Sequence, residues 1–107
     1  MKIAQTSRQQ KTGLMFLNKL DADQGLFFDF PDIQKHSIWM KNTLIPLDII
    51  WLDEDLKILE IKENAKPCLS DPCLLFTPQK NSKYVLELQA GAVNRFELKP
   101  QDQFIFK

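Results

Sequence analysis

Three charged side chains stand where water should be scarce. In "SIWMKNTLIPLDIIWLD", residues Ser37 to Asp53, a run of β-formers is interrupted by Lys41, Asn42 and Asp48. In "KYVLELQAG" the interruption is Glu87. Asp48 lies between Leu47 and Ile49, and a carboxylate placed so is costly unless something pairs with it. Two readings are open. Asp48 takes backbone amides of the "NTLIP" turn, as short carboxylates commonly do. Alternatively Lys41, Asn42, Asp48 and Glu87 converge at the mouth of a barrel, a polar cluster in an apolar pocket of the kind that binds small ligands. The same groups would serve an enzyme in which Asp48 or Glu87 is a general base and Lys41 its electrostatic partner.

Trp39, Met15 and Met40, with Phe27 and Phe28, are candidates for the apolar wall, since methionine and aromatic side chains adapt to ligands. The plainer reading is that each is core. Cys68 and Cys73 enclose four residues, "LSDP". Zinc needs four ligands, and only His36 could join them. A thioredoxin-like site needs two intervening residues, not four. A disulfide pinning a proline-rich loop is the better reading, and so short a loop contributes about 2 kcal/mol at most. His36 is the only histidine, and it fits a surface or strand-end position better than a catalytic one. There is no GxSxG, P-loop, GxGxxG with a following acid, or HExxH. No cofactor and no metal are expected.

The elements that must hold these residues are mostly strands. Thr6 and Gln9 form a capping box and Gly13 a stop, which predicts a short helix over Ser7–Thr12. "LMFLNKL" leads to a polar turn, "DADQG". "LFFDF" places Leu26, Phe28 and Phe30 on one face and Phe27 and Asp29 on the other, with Pro31 ending the strand. His36–Lys41 and Leu47–Asp53 read as strands, with Pro46 just ahead of the second. "DEDLK" is a turn and "KILEIKEN" a strand. A long loop follows, with a short strand at Leu74–Phe76. "KYVLELQAG" sets Tyr84, Leu86 and Leu88 against Val85, Glu87 and Gln89. "GAVNRFEL" suits one or two helical turns, "KPQD" a turn, and "QFIFK" a last strand. The whole reads as one domain over 1–107: α+β, mostly β, a small compact β-barrel-like domain of about six strands with one or two short helices.

Fourteen acidic and fourteen basic residues balance among 107. That argues against a nucleic-acid partner, which calls for a basic stripe. No run approaches the roughly 18 apolar residues of a membrane span, and the opening "MKIAQTSRQQKTG" lacks the apolar core of a signal peptide. Either the protein stays in the cytoplasm or a targeting segment lies upstream. A monomer is expected.

Four motifs, "GLMF" at 13–16, "WMKNTLIPLDI" at 39–49, "PCLSDPC" at 67–73 and "YVLELQAG" at 84–91, add up in that order and spacing. They resemble the domain of unknown function 192 family, also called uncharacterised protein family 0127, from about Ala4 to the C-terminus. The resemblance implies a compact β-barrel-type α+β fold and no established biochemical function. Many bacterial members carry a signal peptide or lipoprotein anchor upstream, which implies a periplasmic or other extracytoplasmic setting. The chain departs from the family pattern at Leu17, where an arginine usually follows "GLMF". Glu97 and Gln101 replace two glycines near the end, and each must accept a turn conformation that suits glycine better or adopt a different turn. The leading expectation is a non-catalytic domain that binds a small polar molecule, a saccharide or a peptide. A small acid–base enzyme and an accessory module that meets a protein are the alternatives.

Overall fold

A computed structural model of the protein describes residues 2–21 and 24–103. Strands β1 (Lys2–Ala4), β2 (Gly25–Gln34), β4 (Leu47–Leu52), β5 (Ile58–Ala65) and β7 (Ser82–Gln89) form one sheet, in the order β1-β2-β7-β4-β5. β1 runs parallel to β2, and the other neighbours are antiparallel. Strands β3 (Ile38–Trp39) and β6 (Leu75–Phe76) pair as a separate two-stranded ribbon. Helices α1 (Ser7–Thr12) and α2 (Ala92–Arg95) complete the described elements. The fold is α+β and mostly β, as expected. Among the described residues the sheet stays open, with β1 and β5 at its edges, so the likeness to a barrel is loose.

Strand alternation divides the core in two. Leu26, Phe28, Leu47, Ile49, Trp51 and Val85 share one cluster. Phe27, Ile50, Leu52, Leu86 and Leu88 join Ala92 and Val93 of α2 in the other. This is the alternation expected of "LFFDF" and "YVLELQ", whose side chains point to opposite faces at every step. Trp51 is fully buried and satisfies its indole N–H on the His36 carbonyl at 2.8 Å. Burying such a side chain is worth about 2–3 kcal/mol.

Pro31 does not end its strand. β2 continues through it to Gln34, because pairing with β7 slips register between Asp29 and Gln34 and asks no regular ladder bond of the proline. The Lys83 ammonium of β7 donates to Asp29 of β2 at 2.8 Å and to the Phe30 carbonyl, clasping the two strands. That hydrogen bond holds the Asp29 carboxyl below its ordinary pKa. The first arm of the opening stretch is shorter than expected, only Ile38–Trp39, since Lys41 and Asn42 turn away to meet Cys68. Of the expected last strand, Gln103 bridges Lys57, and Phe104–Lys107 lie outside the described residues.

Of the two alternatives open at Glu97 and Gln101, each takes the turn conformation that suits glycine better. Glu97 has φ 55° and Gln101 φ 80°, both in the left-handed region that glycine enters more cheaply.

Candidate functional site

A cavity of about 320 Å³ lies between α1, β3 and the face of the sheet that carries Phe28 and Glu87. Helix α1 forms because Thr6 accepts from the Gln9 amide at 3.1 Å while the Gln9 side chain accepts from the Thr6 amide, also at 3.1 Å. Gln10 then ties the helix down, its side-chain amide donating to the Ala4 and Asp29 carbonyls at 3.2 and 2.9 Å. Gly13 ends the helix with φ 51°. A Cβ there would meet the Phe28 ring at 3.6 Å and a Glu87 carboxyl oxygen at 3.7 Å, so the bare α-carbon keeps space open before the acid.

Leu14, Met15, Phe28, Phe30, Ile38, Trp39 and Leu75 give the cavity its apolar wall. Its polar lining comes from Gln10, Lys11, Thr12, Ser37, Lys41, Thr43 and Glu87. Glu87 is the unusual member. It is 3% exposed, and no described residue donates a hydrogen bond to its carboxyl. Burial pushes its pKa up from 4.5 to about 8, because nothing compensates the lost hydration of the charged form. That shift favours the neutral carboxylic acid, which can donate through O–H and accept through C=O. Lys41 stands at a wetter position, 34% exposed. Its ammonium lies 5.2 Å from the Trp39 ring centre and 3.4 Å from the Asp71 carboxylate.

Asp48 is not part of this cavity. The expectation that "NTLIP" amides hold it, and the expectation that it meets Lys41, are both corrected. It is completely buried and points to the opposite face of the sheet, where it takes three other backbone amides. Asn64 donates to one carboxylate oxygen at 2.8 Å; Gly91 and Val93 donate to the other at 3.1 and 2.9 Å. Register explains the first. Leu47 pairs with Ala65 but Ile49 with Lys62, which leaves a bulge in β5 opposite Asp48, with Asn64 at φ 51° and its N–H free of the ladder. The other two amides open α2, whose N-cap Gly91 has no side chain to cap with, so Asp48 serves as the cap from a neighbouring strand.

Of the remaining candidates, Met15 and Trp39 line the cavity. Met40 is 1% exposed and belongs to the core, and Phe27 lies in the cluster on the far face. Asn42 works through its backbone, at φ 55°: its N–H donates to the Cys68 carbonyl and its carbonyl accepts from Phe16. Cys68 and Cys73 are joined as a disulfide. Cys68 also takes the Met40 carbonyl through its amide, so the covalent loop is fastened to the chain that carries Lys41. His36 is buried rather than at the surface, stacked on Phe30 with ring centres 3.7 Å apart. Sequence reasoning missed the contribution of α1. Gln10, Lys11 and Thr12 were visible only as a capped helix leading into "GLMF", and the signal was that the helix has no apolar stripe of its own to bury. Among the described residues, no helix is long and apolar enough to cross a membrane, and no group of three or more His, Cys, Asp or Glu side chains is placed to hold a metal.

The family model described as DUF192, an uncharacterized ACR, matches residues 1–106. The chain belongs to the DUF192 family. A relative of this family, UPF0127 protein TK1120 from Thermococcus kodakarensis, is 28% identical over 104 residues, which are 95% of this chain and 61% of the relative. The chain thus spans less than two thirds of that protein's length. Two solved structures share the DUF192 fold seen here. One is a Sinorhizobium meliloti 1021 protein provisionally described as a transcription regulator, 37% identical with a TM-score of 0.88 over 94% of this chain and 76% of its own. The other is a protein of unknown function from Novosphingobium aromaticivorans, 33% identical with a TM-score of 0.89 over 97% of this chain and 72% of its own.

Proposed function

We propose that this DUF192 domain is a non-catalytic binding module that takes a small ligand into the cavity between α1, β3 and the sheet. The observation that carries the reading is Glu87. Glu87 lines an apolar cavity at 3% exposure and takes no hydrogen bond from a described residue, and such a withdrawn carboxyl is understandable if a ligand completes its hydrogen bonds. Lys41, Trp39 and Met15 supply the charge, the flat surface and the adaptable wall that such a site uses to orient what it holds. Asn42, Met40 and Asp48 act behind this site, as scaffold.

A second reading is favoured by the same side chain. A carboxyl whose pKa is raised to about 8 is poised to donate or accept a proton near neutrality, as a general acid–base group would. The regulator described for the Sinorhizobium neighbour is not carried over. The balanced charge, fourteen against fourteen, argues against a nucleic-acid partner.

Backbone amide shifts on addition of a fragment collection spanning monosaccharides, short peptides and small acids, amides and amines test the reading. Perturbations should gather at Gly13, Met15, Trp39 and Glu87. Shifts confined to other surfaces would overturn it. Conversion of a bound fragment to product would move the assignment to the enzyme.

A further inference from the structure

We infer that the ligand of this cavity is a small monocarboxylate with an apolar body, held by the Lys41 ammonium and by a hydrogen bond donated from Glu87. The inference rests on the binding reading above and narrows it to one chemical class.

Charge in the lining points one way. Among the described residues, Lys11 and Lys41 are its cations and Glu87 is its one acid. Lys41 already holds a carboxylate, that of Asp71 at 3.4 Å. Asp71 is 67% exposed, so the pair is weakly held and can be shared or exchanged without stranding a buried charge. Glu87 lines the cavity at 3% exposure without a hydrogen bond to a described residue, so in its protonated form it offers an O–H that a ligand oxygen can accept. The rest of the wall, Phe28, Phe30, Ile38 and Trp39 foremost, would be wasted on a fully polar ion and asks for an apolar body. A cationic ligand would face two lysines. A neutral polar one would leave Lys41 unused.

The sign of the pH dependence separates these classes. A carboxylate gains a hydrogen bond from Glu87 while that group is protonated and is repelled once it ionises, so affinity should fall as the pH rises through about 8. An ammonium ligand would show the reverse. The other ionisable groups facing the ligand are Lys11 from α1 and Lys41 from the loop after β3, with Asp71 behind Lys41. Glu87→Gln isolates the acid from all three, because a carboxamide donates at every pH.

The probes are benzoate, benzamide and benzylamine, which share one ring and differ in charge. Each is titrated into the intact, disulfide-bonded protein near pH 6 and near pH 9.5, followed by amide shifts. Benzoate should bind best near pH 6 and lose roughly tenfold near pH 9.5, a change of about 1.4 kcal/mol. E87Q should bind benzoate equally at both pH values, and K41M should bind it roughly tenfold more weakly at both. Preference for benzylamine, or benzoate affinity that rises with pH, overturns the assignment. If benzamide or benzylamine enters the cavity and benzoate does not, the carboxylate class fails while the binding reading stands. If none of the three enters, the binding reading falls with it.

Discussion

Asp48 and Glu87 are both buried acids on adjacent, paired strands, yet their surroundings are opposite. Asp48 faces α2 and accepts three backbone amides. Glu87, whose neighbour across the ladder is Ile49, faces the cavity and accepts none from a described residue. One acid finishes the fold, and the other, in the binding reading proposed above, is left for a ligand. Burial alone therefore does not say what a buried charge is for; the inventory of donors around it does. The first is what a bulge and an uncapped helix need, and the second is what the proposed ligand would need.

The largest effect should come from Asp48→Ala. It strands three buried N–H groups and should destabilise by about 4–5 kcal/mol, or prevent folding, in denaturant unfolding. Asp48→Asn keeps the shape but turns an NH₂ toward either Asn64 or the Gly91–Val93 pair, so about 2–3 kcal/mol should be lost. A loss below about 0.5 kcal/mol for either would break the distinction between the two acids. On the cavity side the tie is covalent. Replacing Cys68 and Cys73 together by serine should cost about 2 kcal/mol at most, and should raise amide exchange in the Lys41 segment fastened to Cys68, with the Asp48 amides unaffected. Equal loosening on both faces would count against treating them as separate.

Smaller changes sharpen the picture. Glu97→Gly and Gln101→Gly should each stabilise by about 0.5–1 kcal/mol, because both positions have a positive φ that a side chain resists. Smallest of all should be the coupling between Lys41 and Asp48. A double-mutant cycle with Lys41→Met and Asp48→Asn should give an interaction energy within about 0.5 kcal/mol of zero, since Lys41 pairs with Asp71 instead. Several kcal/mol of coupling would place the two side chains together and contradict the structure.

Much of this was legible in the residues. The capping box at Thr6 and Gln9 and the alternation of "YVLELQ" follow from local rules, and local rules held, whereas the glycine-like turn at Glu97 and Gln101 was one of two alternatives raised by the family pattern. Asp48 was legible as a buried carboxylate in need of donors, but not which donors. Its partners lie 16, 43 and 45 residues away and depend on a one-residue bulge in β5, which no period in the sequence announces. Pro31 misled for a similar reason: a proline ends a strand only where the ladder needs its N–H, and that depends on the partner's register. Glu87 was named for the cavity because it breaks an apolar alternation. The helix over it, which supplies Gln10, Lys11 and Thr12, was read only as a helix because its one remarkable feature is the lack of an apolar face.

The contrast rests most heavily on the state of Glu87. Following its side-chain carboxyl carbon by NMR against pH, in the protein without ligand, measures that state directly. The account predicts a midpoint near 8, well above the ordinary 4.5. Because the folded pKa lies above the unfolded one, the acid's contribution to stability is complete below about pH 4.5 and is lost as the pH rises through about 8. Glu87→Gln should match the parent in acid and become the more stable protein in alkali, by up to about 5 kcal/mol. A midpoint between about 4 and 5, with the two proteins equally stable across the range, would mean that Glu87 is already solvated or paired, and would contradict the claim that the cavity waits for a ligand.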